Sequence, residues 1–110
     1  MQVDAWLGAL DAHQLFGPSA SIYGRFPATW FKGEFLPSHF FLKLAYKDYR
    51  LAAELAAINE VPTKLIAMCE QETAEAMGRG WGDHERVITN LLQEERSGVR
   101  IRTAAFAPAD

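Results

Sequence analysis

Apolar residues recur along much of this chain at three- and four-residue intervals, the period of a helix packed on one side. The longest such stretch runs from Phe40 to Asn59. It is rich in Ala and Leu and holds no Gly or Pro, so it is expected to form one long helix. Ser38, just after Pro37, is the expected N-cap, and Asn59 and Pro62 mark the end. Leu44, Leu51, Leu55 and Ile58 make an apolar stripe along this helix, and Lys47 and Asp48 fall inside it. A charged pair on the buried side of a helix costs free energy unless it meets a partner, a ligand or water. Two placements are open: the pair sits at the stripe's edge with Lys47 reaching solvent, or it faces a pocket.

Shorter periodic stretches surround this one. Val3 to Phe16 reads as a first helix, capped by Asp4, with Trp6, Leu7 and Leu10 on its apolar face and Gly17-Pro18 as its stop. Ser19 to Phe31 reads as a second, less regular helix, in which Ile22, Phe26 and Trp30 recur every four residues and Pro27 should kink or break the run. A loop follows over 32–37. Pro62 to Met77 is the expected fourth helix, with Leu65, Met68 and Cys69 along one side and Glu70, Glu72 and Glu75 on a solvated face. Gly78, Gly80 and Gly82 then break the chain. Asp83 should cap a fifth helix, His84 to about Glu95, that buries Val87, Ile88, Leu91 and Leu92 and stops at Gly98. No strand-like alternation extends beyond a few residues. The expected fold is therefore all-α, a compact bundle of about five helices over residues 1–96, with an Ala-rich tail over 97–110 that frays from Ile101 onward.

Composition narrows the function classes. With 110 residues, 49% hydrophobic and 12% aromatic, the chain suits one domain with a core and is not of disordered type. A formal net charge of -3 and scattered Lys and Arg argue against nucleic-acid binding; short helices alone would suggest a helix-turn-helix, but no stretch is basic enough for a recognition helix. The single cysteine, Cys69, cannot form an internal disulfide, which fits a cytoplasmic setting and a small buried hydrophobe. No run is apolar enough to cross a membrane, and the first residues lack the pattern of a signal peptide. His13 and His84 have no ligand partners at useful spacing, and no His or Asp completes a metal cluster around Glu70, Glu72 and Glu75, so no metal is expected. The aromatics Tyr23, Phe26, Trp30, Phe31 and Phe35 read as core or as a buried oligomer face.

Several motifs, in order, carry a family resemblance. The run Phe40–Ala52 has the pattern F-x-x-x-L-x-x-K-D-x-x-L-A. Gly33-Glu34-Phe35 is similar to a G-D-F loop, Asn59-Glu60-Val61-Pro62 to a G-V-P link with Glu60 where Gly is usual, and Gly80-Trp81-Gly82-Asp83 to a G-x-G-D turn. From about Val3 to Leu92 the chain resembles the helical C-terminal domain of the β-hydroxyacid dehydrogenases, a group that includes 3-hydroxyisobutyrate dehydrogenase, tartronate semialdehyde reductase and glyoxylate reductase and is related to 6-phosphogluconate dehydrogenase. The resemblance implies the 6-phosphogluconate dehydrogenase C-terminal fold without its first long helix. It implies hydride transfer between NAD or NADP and a β-hydroxy acid, performed with an N-terminal Rossmann domain and a catalytic Lys on a long interdomain helix. Neither Lys32, Lys43 nor Lys64 stands in that Lys context and no glycine-rich dinucleotide turn occurs, so no catalytic residue is assigned and the isolated chain is expected to be inactive and to bind no cofactor alone.

By the same resemblance, Lys47 reaches toward the nicotinamide end of the cofactor, while Phe40 and Asp48 border the substrate pocket. His39 stands where the family often has Gly. The face that meets the long helix would be left open, which implies a homodimer, a swapped helix pair or pairing with a Rossmann domain. The alternative function is a stand-alone, non-catalytic helical module for self-association or protein interaction.

Overall fold

The computed structural model of the protein describes residues 2–12 and 25–103. Among them are five α-helices, α1 Val3–Ala12, α2 Arg25–Ala28, α3 Leu42–Ile58, α4 Lys64–Gly78 and α5 Asn90–Ser97, with 3-10 turns at Trp30–Lys32 and Arg86–Thr89. Among the described residues the fold is all-α, and the one β feature is an isolated bridge between Phe41 and Glu85. The expected end of the first helix, His13, the Gly17-Pro18 stop, the caps at Ser19 and Ser21, Ile22 and Tyr23 lie outside the described residues.

Two apolar clusters hold the chain together. Phe35, Leu42, Ala76, Val87, Ile88 and Leu92 form the larger. Leu7 and Phe31 form the smaller, and Phe26 and Trp30 pack against both. The Phe26 and Trp30 rings meet edge to face, 5.4 Å apart at 85°. Full burial of a side chain such as Leu42 or Leu92 contributes about 1.5–3 kcal/mol, so these few residues dominate the fold's stability. Pro27 is buried within the four-residue α2, where its missing N–H costs nothing because first-turn amides have no helical partner. The second helix expected from Ser19 to Phe31 is thus a short α-turn followed by a 3-10 turn.

The long helix forms as expected but turns its apolar stripe the other way. Leu42 and Ala45 are buried and Tyr46, Tyr49, Ala52, Ala53 and Ala56 half-buried, whereas Leu44, Leu51, Leu55 and Ile58 are all exposed. These sets lie on nearly opposite sides of a helix with 100° per residue. α4 packs antiparallel beside α3, and small Ala side chains let the two axes approach closely. The Leu stripe is therefore not buried by this chain's own core.

Both helices of this hairpin end in the same way. After α3, Glu60 N–H donates to Ala57 O (3.2 Å) and Val61 N–H to Ala56 O (2.9 Å); after α4, Gly80 N–H donates to Met77 O (3.0 Å) and Trp81 N–H to Ala76 O (3.4 Å). This bonding pattern needs a left-handed residue, supplied by Gly80 at φ 80° and by Glu60 at φ 57°. α4 begins at Lys64, two residues later than expected.

The fifth helix departs most from expectation. Asp83 does not cap it; its carboxylate instead meets Lys43 Nζ at 2.5 Å. The chain over 82–86 runs beside 40–43, with Leu42 N–H donating to His84 O (2.9 Å), Lys43 N–H to Gly82 O (3.0 Å) and Arg86 N–H to Phe40 O (2.9 Å). Regular helix starts only at Asn90. α5 is tied to α4 by ion pairs from Arg79 to Glu95 and from Arg96 to Glu72 and Glu75, so the acidic face of α4 is partly paired. Residues 99–103 are docked: Thr103 N–H donates to Phe31 O (3.1 Å), and the Thr103 hydroxyl donates to the Asp4 carboxylate.

Candidate functional site

The start of α3 is built from backbone and one buried acid. A helix leaves its first amides without partners. Ser38 was the expected cap, yet no side chain caps Phe41, and the carbonyls of His84 and Gly82 accept the amides of Leu42 and Lys43 instead. At Gly82 a Cβ would lie 3.3 Å from Met77 Sδ on α4 and 3.8 Å from Lys43 Cβ on α3. The G-x-G-D turn is thus clamped against the first turn of α3.

Glu85 anchors this junction. Its side chain is 0% exposed, and its carboxylate accepts bonds from His39 N–H (2.7 Å), Phe40 N–H (3.0 Å), the Ser38 hydroxyl (3.4 Å) and Arg25 Nη1 (3.1 Å). Burial pushes the Glu85 carboxyl up, but the Phe40 and His39 amides and the Arg25 guanidinium outweigh it and hold it below the usual glutamate range. Glu94 plays a matching part on α5, accepting Trp30 Nε1 (2.8 Å), Ile101 N–H (3.0 Å) and Arg102 Nη1 (2.8 Å). Burial again opposes ionisation, and the Arg102, Ile101 and Trp30 donors again prevail. Sequence reading missed both acids. Both stand among polar neighbours, Glu85 between His84 and Arg86 and Glu94 between Gln93 and Glu95, so the local sequence carries no signal for either.

Phe40 sits beside this junction, half-buried, with the Arg86 guanidinium 5.8 Å from its ring centre. Lys47 and Asp48 lie one turn further along α3. Their charged atoms are 3.8 Å apart, and the side chains are 53% and 63% exposed. The expectation that this stripe is the buried side of α3 is therefore corrected: Lys47 and Asp48 reach solvent on the outer face of the helix, between exposed Leu44 and Leu51. The structure places Phe40 at the clamped end of α3 and the pair on the open stripe that continues from it.

Clefts lie elsewhere on the described surface. One, of about 830 Å³, runs between the 33–36 loop and α5, over Phe35, Ile88 and Leu91, with His84 and Arg100 on its walls. His84 Nδ1 is buried without a hydrogen-bond partner. Neither Phe40, Lys47 nor Asp48 lines this cleft or the smaller ones beside α1. Among the described residues, no three His, Cys, Asp or Glu side chains are grouped to hold a metal ion, and no helix is long and apolar enough to cross a membrane. Comparison with protein-family models, with curated proteins and with solved structures finds no match to this chain.

Proposed function

We propose that this chain is the helical C-terminal domain of an NAD(P)-dependent β-hydroxyacid dehydrogenase of the 3-hydroxyisobutyrate dehydrogenase type, and that it forms one wall of a pocket completed by a dinucleotide-binding domain. The observation that supports the reading is the outer face of α3: an apolar stripe left uncovered by the described residues and interrupted by an ammonium–carboxylate pair. Exposed aliphatic stripes of this kind are docking surfaces, and a Lys within one offers a charge-assisted donor to a ligand at the junction. The order of the K-D, N-E-V-P and G-W-G-D motifs supports the same reading. A reducing, cytoplasmic setting fits the free Cys69.

The residues fit one end of a cofactor–substrate pair. The Lys47 ammonium would hold a ribose hydroxyl or a substrate carboxylate, Asp48 would orient that ammonium, and Phe40 would exclude water from the reacting carbon. NAD or NADP supplies the hydride chemistry when bound, and its dinucleotide is held by the partner domain. Titrating NAD(H) and NADP(H) against this chain, with and without the dinucleotide-binding domain, tests the reading. The expected result is binding and turnover only in the combined sample, with Lys47→Ala lowering kcat/KM. Turnover by the isolated chain, or none in any combination, refutes it.

A second reading, a stand-alone association module, draws on the same uncovered stripe. A stable homo-oligomer indifferent to every dinucleotide-binding domain would favour it.

A further inference from the structure

A cleft of about 440 Å³ lies between α1, the 3-10 turn at Trp30–Lys32 and the segment over 99–101. Val3 and Trp6 line it from α1, Trp30 and Phe31 from the turn, and Val99, Arg100 and Ile101 from the third side. Its volume falls within the range of small-molecule sites, about 300–1,000 Å³. Phe31 is packed on Leu7, and the Trp30 and Phe31 rings lie 5.4 Å apart, while Trp6 beside them is 41% exposed. A part-open indole next to two packed rings offers a stacking surface to a further flat group.

One buried acid holds these walls. Glu94 accepts Trp30 Nε1 (2.8 Å) and Ile101 N–H (3.0 Å) through its carboxylate, and its carbonyl accepts Val99 N–H (3.2 Å). Arg100 therefore springs from a backbone tied on both sides. It is the one ionisable side chain lining the cleft among the described residues, and its guanidinium has no ion-pair partner within 4.0 Å among them. A guanidinium is weakly hydrated for a cation, so it gives up water to a carboxylate more readily than an ammonium does. Arg100 also borders the 830 Å³ cleft, but Glu34, Glu94 and Glu95 stand on those walls and disfavour an anion there.

We infer that the 440 Å³ cleft binds a small aromatic carboxylate. The ring stacks among Trp6, Trp30 and Phe31, and the carboxylate takes two parallel N–H bonds from Arg100. Because Glu94 fixes two of the walls before a ligand arrives, little ordering cost remains to be met on binding. The site is separate from the one proposed above: Phe40, Lys47 and Asp48 do not line it, and it requires no dinucleotide-binding domain.

Titration of the full chain with 3-phenylpropionate, and with uncharged 3-phenylpropanol, tests this through the nuclear magnetic resonance of its three Trp indole N–H groups. Trp6 and Trp30 line the cleft and Trp81 does not. The acid should shift the Trp6 and Trp30 signals with a Kd of about 0.1–1 mM and leave that of Trp81 in place. Arg100→Ala should weaken the acid about tenfold or more and leave the alcohol unaffected, and Arg100→Lys should recover part of the loss. The Arg100 side chain is exposed, so both variants should keep their helical circular dichroism. Lys47→Ala should bind the acid as the wild type does, which separates this test from that of the dehydrogenase pocket. Unmoved Trp6 and Trp30 signals, equal affinity for acid and alcohol, or an Arg100→Ala chain that binds the acid as tightly as the wild type would each overturn the inference.

Discussion

Replacing Glu85 by Gln keeps the size of the side chain and removes its charge. The carboxylate serves two backbone amides through one oxygen and Arg25 through the other, with no contact with solvent. A Gln oxygen can still accept the His39 and Phe40 amides, but its amide group then presents donors to a guanidinium, which accepts nothing. A hydrogen bond to a charged partner is worth about 1.5–3 kcal/mol, and stranding a fully buried partner costs more. Arg25 is about one-third exposed and recovers part of its hydration, so the expected loss is about 2–3 kcal/mol. For a domain of this size that lowers Tm by about 10–20 °C. The pH dependence has a definite sign. The carboxyl is held below its usual range in the folded chain, so its contribution is full above the unfolded value, near 4.5, and fades as acid protonates the folded form. Urea titrations of both proteins by circular dichroism should show the gap between them narrowing from neutral pH toward about pH 3. A gap below about 0.5 kcal/mol at neutral pH, or one unchanged in acid, would sink this account of the junction.

Other substitutions probe other elements. Lys47→Ala should leave stability within about 0.5 kcal/mol, since the Lys47–Asp48 pair is exposed; on the dehydrogenase function proposed above it should also lower kcat/KM by about tenfold or more when a dinucleotide-binding domain is supplied, and thermal melts and steady-state kinetics separate the two effects. Glu60→Gly should raise stability by up to about 1 kcal/mol in urea melts, because Gly takes the left-handed position at the end of α3 without steric cost. Glu94→Gln should loosen the docked segment, seen as faster amide exchange at Ile101 and Thr103 with α3 unaffected.

What was legible in the sequence follows from which interactions are local. Phe40–Asn59 is a strong helix former bounded by breakers, and α3 forms over nearly that span with Asn59 as its last cap. Gly98 stops α5 in the left-handed conformation as expected. Burial was harder to read. Periodicity identifies a stripe on α3 but cannot say that Ala residues, more weakly hydrophobic, take the inner side because they let α4 come close. The start of α5 was misread for a related reason. Asp83 before a periodic run is a good local cap, but its partner is Lys43, forty residues away, and the amides it might have served are replaced by a backbone pairing that no single-segment pattern reveals. Glu85 and Glu94 stayed hidden because their donors come from distant loops. For Phe40, Lys47 and Asp48, the sequence supplied the positions, and the structure supplies their surroundings.

The main-chain lock between residues 82–84 and the first turn of α3 ties the root of that helix to the turn that follows α4. Lys47 is rooted one turn from the lock, so its aim is referred to the body of the domain. Because α4 lies along the rest of α3, the two helices and the turn after α4 close into a ring of chain, and a load on the hairpin's far end is carried back by both helices to one anchorage.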